Sequence, residues 1–193
     1  MKLSPFQFYH LYNRGIDRQP IFFNDENKLF FLRKFRTHVR PFCEPIAYCL
    51  MPNHFHFLFR TDERINRLVK IGNVEQSVFS AGVQRWLSGY AGAVNRQMNR
   101  TGSLFTQNTA AKELSTSLQV RTCFHYIHQN PLKAGLVPRL EEWKYSSFRD
   151  YAGLRAGTLC RQEIAKRYLE INFDRFYEES YAVIDASLLK TIY

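Results

Sequence analysis

Residues 54–60 set aromatic and imidazole positions in alternation. Phe55, Phe57 and Phe59 fall on one parity, His54 and His56 on the other. In an extended chain residues two apart share a face. The phenylalanines are therefore expected to anchor a strand to a core, and both imidazoles to project from its other side. Further extended runs are predicted over residues 6–13 and 46–51, with Pro52-Asn53 as a tight connection into the 54–60 strand. A fourth strand is expected within residues 103–114. Helical spacing alternates with these runs. Asn24 or Asp25 caps a helix reaching about Val39, with Leu29, Leu32, Phe35 and Val39 on its apolar stripe. A short helix is expected over 62–70. A long one is expected over 75–100, carrying Phe79, Val83, Trp86, Tyr90 and Val94 and interrupted by Gly82, Gly89 and Gly92, each costing up to about 1 kcal/mol against Ala. Ser115 or Thr116 caps another helix, stopped before Pro131. One or two helices follow between 161 and 184.

The resulting order, strand–helix–strand–strand–helix–strand, predicts an α+β class: a ferredoxin-like split βαβ with a central antiparallel sheet and helices on one face. A helical C-terminal extension over 154–193 completes the domain that begins at 1–153. Such a fold hosts many functions, so the chemistry has to come from particular side chains.

Composition narrows the partner. The 193 residues carry a formal net charge of +10, spread along the chain, and 16% are aromatic. A folded, basic, aromatic-rich domain suits a polyanion such as nucleic acid. The four cysteines contain no Cys-x-x-Cys pair, which points to reduced thiols in the cytoplasm and not to a disulfide framework. No apolar run approaches the ~20 residues that span a membrane, and residues 1–5 lack the apolar region of a signal peptide. No membrane partner is expected.

Two histidines on one strand face can share a divalent ion. For an isolated His-x-His pair, a wet polar sheet face is the more common reading; other segments shift the balance. Pro52-Asn53-His54-Phe55-His56 resembles the His-hydrophobic-His motif of HUH single-tyrosine transposases. Tyr9-His10-Leu11-Tyr12-Asn13-Arg14-Gly15 resembles a segment of their REP-associated tyrosine transposase branch. So do Tyr90 with Asn95 and Arg100-Thr101-Gly102-Ser103-Leu104-Phe105, Tyr126-Ile127-His128-Gln129-Asn130-Pro131-Leu132-Lys133-Ala134-Gly135, and Trp143-Lys144-Tyr145-Ser146-Ser147-Phe148. Together these segments cover about residues 6–153.

The resemblance implies a metal-dependent single-stranded DNA endonuclease and strand transferase acting on hairpin DNA through a 5′-phosphotyrosine. It implies His54 and His56 as metal ligands, Mg²⁺ or Mn²⁺ as cofactor, Tyr90 as nucleophile, a nucleoid-associated location and a possible homodimer. In related enzymes an amide one helical turn after the tyrosine often completes the metal site. Position i+4 from Tyr90 is Val94, which cannot coordinate; Asn95 matches the branch pattern and is the expected third ligand, although i+5 lies roughly 140° around an ideal helix. His10 is read either as facing the site or as a hydrogen-bonded strand histidine, His125 and His128 as packing residues, and Asn130-Pro131 as a helix stop. Two rival readings stand beside the enzyme: a non-catalytic DNA-binding relative on the same fold, and a single-stranded RNA-binding module that stacks bases on the sheet.

Overall fold

A computed structural model describes all residues, 1–193. Its centre is a four-stranded antiparallel sheet in the order β2-β3-β1-β6, with β1 Phe8–Arg14, β2 Glu44–Met51, β3 His54–Arg60 and β6 Ala110–Leu114. Helix α1 (Asp25–His38) links β1 to β2, and α2 (Val78–Gln97) leads from β3 toward β6. This is the split βαβ arrangement expected from the order of elements.

The parity of β3 decides what lies on each side of the sheet. Phe55, Phe57 and Phe59 are fully buried against α1 and α2. Phe57 stacks on Phe35 with ring centroids 4.1 Å apart, Phe55 meets Trp86 at 5.1 Å, and Phe59 meets Phe79 at 5.1 Å. On α1 the buried stripe runs through Phe31 and Phe35, while Leu29 is exposed. Of the expected stripe, Phe35 and Val39 are buried and Leu32 packs against the core, while Leu29 faces solvent. Gly82 explains one interruption of α2. A Cβ there would lie 2.1 Å from the His38 carbonyl oxygen, so this glycine lets the two helices approach.

The opposite face is covered as well. Helix α3 (Ser117–Lys133) crosses it, starting in a capping box in which Thr116 and Gln119 bond each other's backbone. Short helices α4 (Phe148–Tyr151), α5 (Gln162–Tyr168), α6 (Phe176–Tyr181) and α7 (Ala186–Thr191) pack around it. Their contacts form a second core in which Phe124, Ile127, Phe148, Phe176 and Ile192 meet Cys49, Met51 and Leu58 of the sheet. The histidine face is thus not open. The helices of the βαβ unit lie on one face, and the C-terminal half of the chain roofs the other.

Two local expectations change. Helix α3 runs through Pro131 instead of stopping before it. Proline in a last turn forfeits a single intrahelical bond, and the helix ends at Lys133, two residues before Gly135, whose φ of +66° suits the residue that follows a helix end. Residues 62–77 hold a 3₁₀ turn (Glu63–Asn66) and a small hairpin of β4 (Leu68–Ile71) and β5 (Val74–Ser77) in place of the expected helix, so α2 starts only at Val78. Neither strand contains a buried residue, so no apolar core-facing side marks them in the sequence.

Candidate active site

The antiparallel register sets Tyr12 opposite His56 and Arg14 opposite His54. His10 and Tyr12 on β1 therefore share a face with the two histidines of β3. The His54 and His56 rings lie 5.0 Å apart, and the His10 and His56 rings 5.0 Å apart.

The hydrogen bonds fix which ring nitrogens carry protons. His10 Nδ1 lies 2.8 Å from the Ile192 carbonyl oxygen. A carbonyl only accepts, so His10 Nδ1 is the protonated nitrogen and Nε2 carries the lone pair. His10 Nε2 lies 2.8 Å from His56 Nδ1, which must then donate. His56 Nε2 is left with its lone pair, buried and without any hydrogen-bond partner. His54 follows the same logic. Its Nδ1 lies 2.6 Å from Asn53 Oδ1, and Asn53 is oriented by its amide nitrogen donating to the Arg18 carbonyl at 3.0 Å. Burial pushes both imidazoles below the ordinary histidine pKa. His56 falls far below it, with His10 and His54 adding to the effect. For His54, the Asn130 side chain opposes the shift and Arg14 adds to it. A neutral imidazole with a free Nε2 lone pair, as His56 has, is the kind of donor a divalent cation needs.

Helix α3 supplies what β3 lacks. The Tyr126 ring lies 5.6 Å from the His56 ring. Asn130 follows one helical turn later. Its amide nitrogen donates to the Tyr126 carbonyl at 2.8 Å, and its side chain reaches both His54 and the Tyr126 side chain. The Tyr193 hydroxyl is bonded to the Tyr126 hydroxyl, and the Tyr193 ring packs 5.1 Å from Tyr12 and 5.5 Å from His10. A cavity of about 430 Å³ opens over the histidines, with Tyr12, Arg14, Arg18, Asn108 and Tyr193 among its walls. Burial is the main cause raising the Tyr126 pKa; hydrogen bonds from Tyr193 and Asn130 act against it.

Tyr90 and Asn95 lie elsewhere. Tyr90 is fully buried on the phenylalanine side of the sheet, where its ring meets Phe22, Phe31 and Phe105. Its hydroxyl donates to the Ile21 carbonyl at 2.6 Å, and burial alone holds its pKa far above the usual tyrosine value. The sheet separates it from His54 and His56. Asn95, on the same helix, donates to the Gly102 carbonyl at 2.9 Å and ties the end of α2 to the following loop. The expected nucleophile and third ligand are thus core and loop residues. The apolar spacing Phe79-Val83-Trp86-Tyr90-Val94 is what commits Tyr90 to the core. Tyr126 and Asn130 satisfy the one-turn tyrosine–amide spacing that Tyr90 and Val94 fail. His128 and His125 bond Ser147 and Ser180 at 2.8 Å and 3.3 Å, and each acts in packing.

No protein-family model matches the chain. A Haemophilus influenzae protein carrying the provisional name REP-associated tyrosine transposase is 24% identical over 124 residues, covering 61% of this chain and 69% of that protein. The structure of a REP-associated tyrosine transposase bound to a REP hairpin superposes with a TM-score of 0.56 at 18% identity, covering 83% of this chain and 91% of that one. This chain is thus similar in sequence to one REP-associated tyrosine transposase and in fold to another. The resemblance carried by the sequence segments and the fold of the sheet point to the same group of proteins.

Proposed function

We propose that this protein binds hairpin-containing single-stranded DNA and cleaves and rejoins it through a covalent bond to Tyr126. The observation that carries the proposal is the buried, partnerless His56 Nε2 beside His54 at the wall of one cationic cavity, with the Tyr126 ring of α3 packed 5.6 Å from the His56 ring and Asn130 one turn after it. Arg14 and Arg18 line that cavity and bind a phosphodiester as it enters. Tyr126 Oη attacks the phosphorus; the Oη–P bond forms as the P–O3′ bond breaks. The phenol gives up its proton, and the departing 3′ oxygen takes one up. The 5′ phosphate stays on the protein as a phosphotyrosine, and a 3′ hydroxyl can reverse the step, so rejoining needs no external energy source. His54 Nε2, His56 Nε2 and the Asn130 amide oxygen are the groups that would hold Mg²⁺ or Mn²⁺. Such a cation, when bound, supplies positive charge that favours phenolate over phenol and stabilises the crowded phosphate.

The test is incubation of the protein with REP-like hairpin oligonucleotides and Mg²⁺ or Mn²⁺, followed by a denaturing gel. A protein–DNA adduct is expected from the wild type, and none from Tyr126→Phe or His56→Ala. An adduct that persists in Tyr126→Phe would overturn the assignment. Salt-sensitive DNA binding without any adduct would favour the non-catalytic reading.

A further inference from the structure

His10 is buried beneath the site, contacts no solvent, and belongs to none of the groups assigned a role in the reaction above. Resting on the metal-site reading above, we propose that His10 is the positioning residue of the cation site. It fixes the tautomer of His56, and the carbonyl of Ile192 in turn fixes the tautomer of His10.

An imidazole buried in its neutral form has one N–H and one lone pair. For His56, the useful form carries the proton on Nδ1 and leaves Nε2 bare toward the cavity. Nothing in the ring enforces that choice; free imidazole side chains favour the opposite tautomer. The choice is enforced by what faces Nδ1. The group there is His10 Nε2, at 2.8 Å. It acts as an acceptor only because His10 Nδ1 is committed to donating to the Ile192 carbonyl, also at 2.8 Å. If His10 took its other tautomer, its Nε2–H would donate to His56 Nδ1 and push the His56 proton to Nε2, while the Ile192 carbonyl would lose its donor and face the bare Nδ1 lone pair. That penalty falls in a buried, low-dielectric place, where an unmade bond is expensive. The arrangement therefore has a single low-energy proton pattern, running from the carbonyl through His10 to His56.

The chain of contacts also explains why an unpartnered nitrogen survives in this core. His56 Nε2 is buried without a partner, and buried polar atoms are nearly always satisfied. The relay holds that lone pair in place at the cavity wall in readiness for a ligand. It further makes the segment after α7 part of the site. Ile192 is fully buried as part of the second core, which anchors the segment whose carbonyl starts the relay. Groups outside the first coordination sphere that orient a ligand histidine typically change metal affinity by about 10–100-fold.

The test has two arms that fail separately. In the first, long-range ¹H–¹⁵N correlation spectra of the metal-free protein at neutral pH report the tautomers directly. The expected result is Nδ1–H for both His10 and His56. In His10→Phe, which removes the acceptor, His56 should lose its exclusive Nδ1–H form. His10→Gln, whose amide oxygen can accept from His56 Nδ1, should restore it. Nε2–H on His56 in the wild type, or an unchanged His56 tautomer in folded His10→Phe, overturns the proposal.

In the second arm, Mn²⁺ affinity is measured by titration of the full-length protein. His10→Phe should weaken binding at least tenfold, and His10→Gln should recover most of the loss. Equal Mn²⁺ affinity in wild type and folded His10→Phe also overturns the proposal. Should the wild type bind no Mn²⁺, the metal-site reading falls, and the relay is judged on the tautomers alone. Should His10→Phe fail to fold, the wild-type spectrum and the Gln variant decide the matter.

Discussion

Tyr90→Phe separates a core tyrosine from a nucleophile by experiment. The substitution removes one oxygen and leaves the ring among Phe22, Phe31 and Phe105. That oxygen is buried, and its only hydrogen bond is the 2.6 Å contact to the Ile21 carbonyl. The variant leaves a buried carbonyl unsatisfied, which costs about 1–3 kcal/mol. A loss near 2 kcal/mol is expected. At about 2–4 °C per kcal/mol for a chain of this size, the melting temperature should fall by roughly 4–8 °C. Calorimetry on the wild type and Tyr90→Phe measures that shift, and the adduct gel measures function. Tyr90→Phe should be less stable and fully able to form the adduct below its melting temperature. Tyr126→Phe should show the reverse, because the Tyr126 hydroxyl bonds another hydroxyl at a half-open position and its loss costs little. A Tyr90→Phe protein with unchanged stability and no adduct would refute this division of roles.

Other outcomes follow from the same geometry. His125 is held neutral by burial, its pKa lowered to about 4, and His128 is pushed well below 6.5 for the same reason. Above pH 6.5 both are neutral folded and unfolded, so they contribute nothing; below it the unfolded chain takes up protons that the folded one refuses. Stability should therefore decline by up to about 1.4 kcal/mol per pH unit per histidine as pH falls from 6.5 toward 4, and urea midpoints that stay flat from pH 7.5 to 5 would contradict this. Tyr193→Ala removes the hydroxyl bonded to Tyr126 and uncovers the phenol, so adduct formation should accelerate; a slower rate with normal folding would show that Tyr193 assists the reaction. Arg14→Ala and Arg18→Ala should each weaken hairpin binding and flatten its dependence on salt by about one counterion, read by fluorescence anisotropy across a salt series; an unchanged slope would remove these residues from the phosphate path.

The pattern of the chain carried the sheet, the caps of α1 and α3 and the shared face of His54 and His56, because each rests on local periodicity or a local hydrogen bond. It did not carry the hairpin β4–β5, whose strands bury no face, although Gly72-Asn73 between them is a hairpin signal. Tyr90 was expected to reach the paired histidines and lies across the sheet from them, for a physical reason. Tyr90 and Tyr126 both sit on amphipathic helices, and only the tertiary arrangement shows that α2 packs on the phenylalanine side of the sheet and α3 on the histidine side. Asn130 carried a readable sign, the one-turn spacing from Tyr126, which the neighbouring Pro131 concealed by suggesting a helix end. His10 depends on a carbonyl 182 residues away, so nothing near it in the chain could have revealed the relay.

The most direct test of the account is to trap the covalent complex of wild-type protein with a 5′-labelled hairpin substrate, digest both polymers, and locate the nucleotide-bearing peptide by mass spectrometry. The account predicts a phosphodiester to Tyr126, joined through the 5′ phosphate of the retained strand. A nucleotide on Tyr90, on Tyr193 or on any residue outside α3 would contradict it.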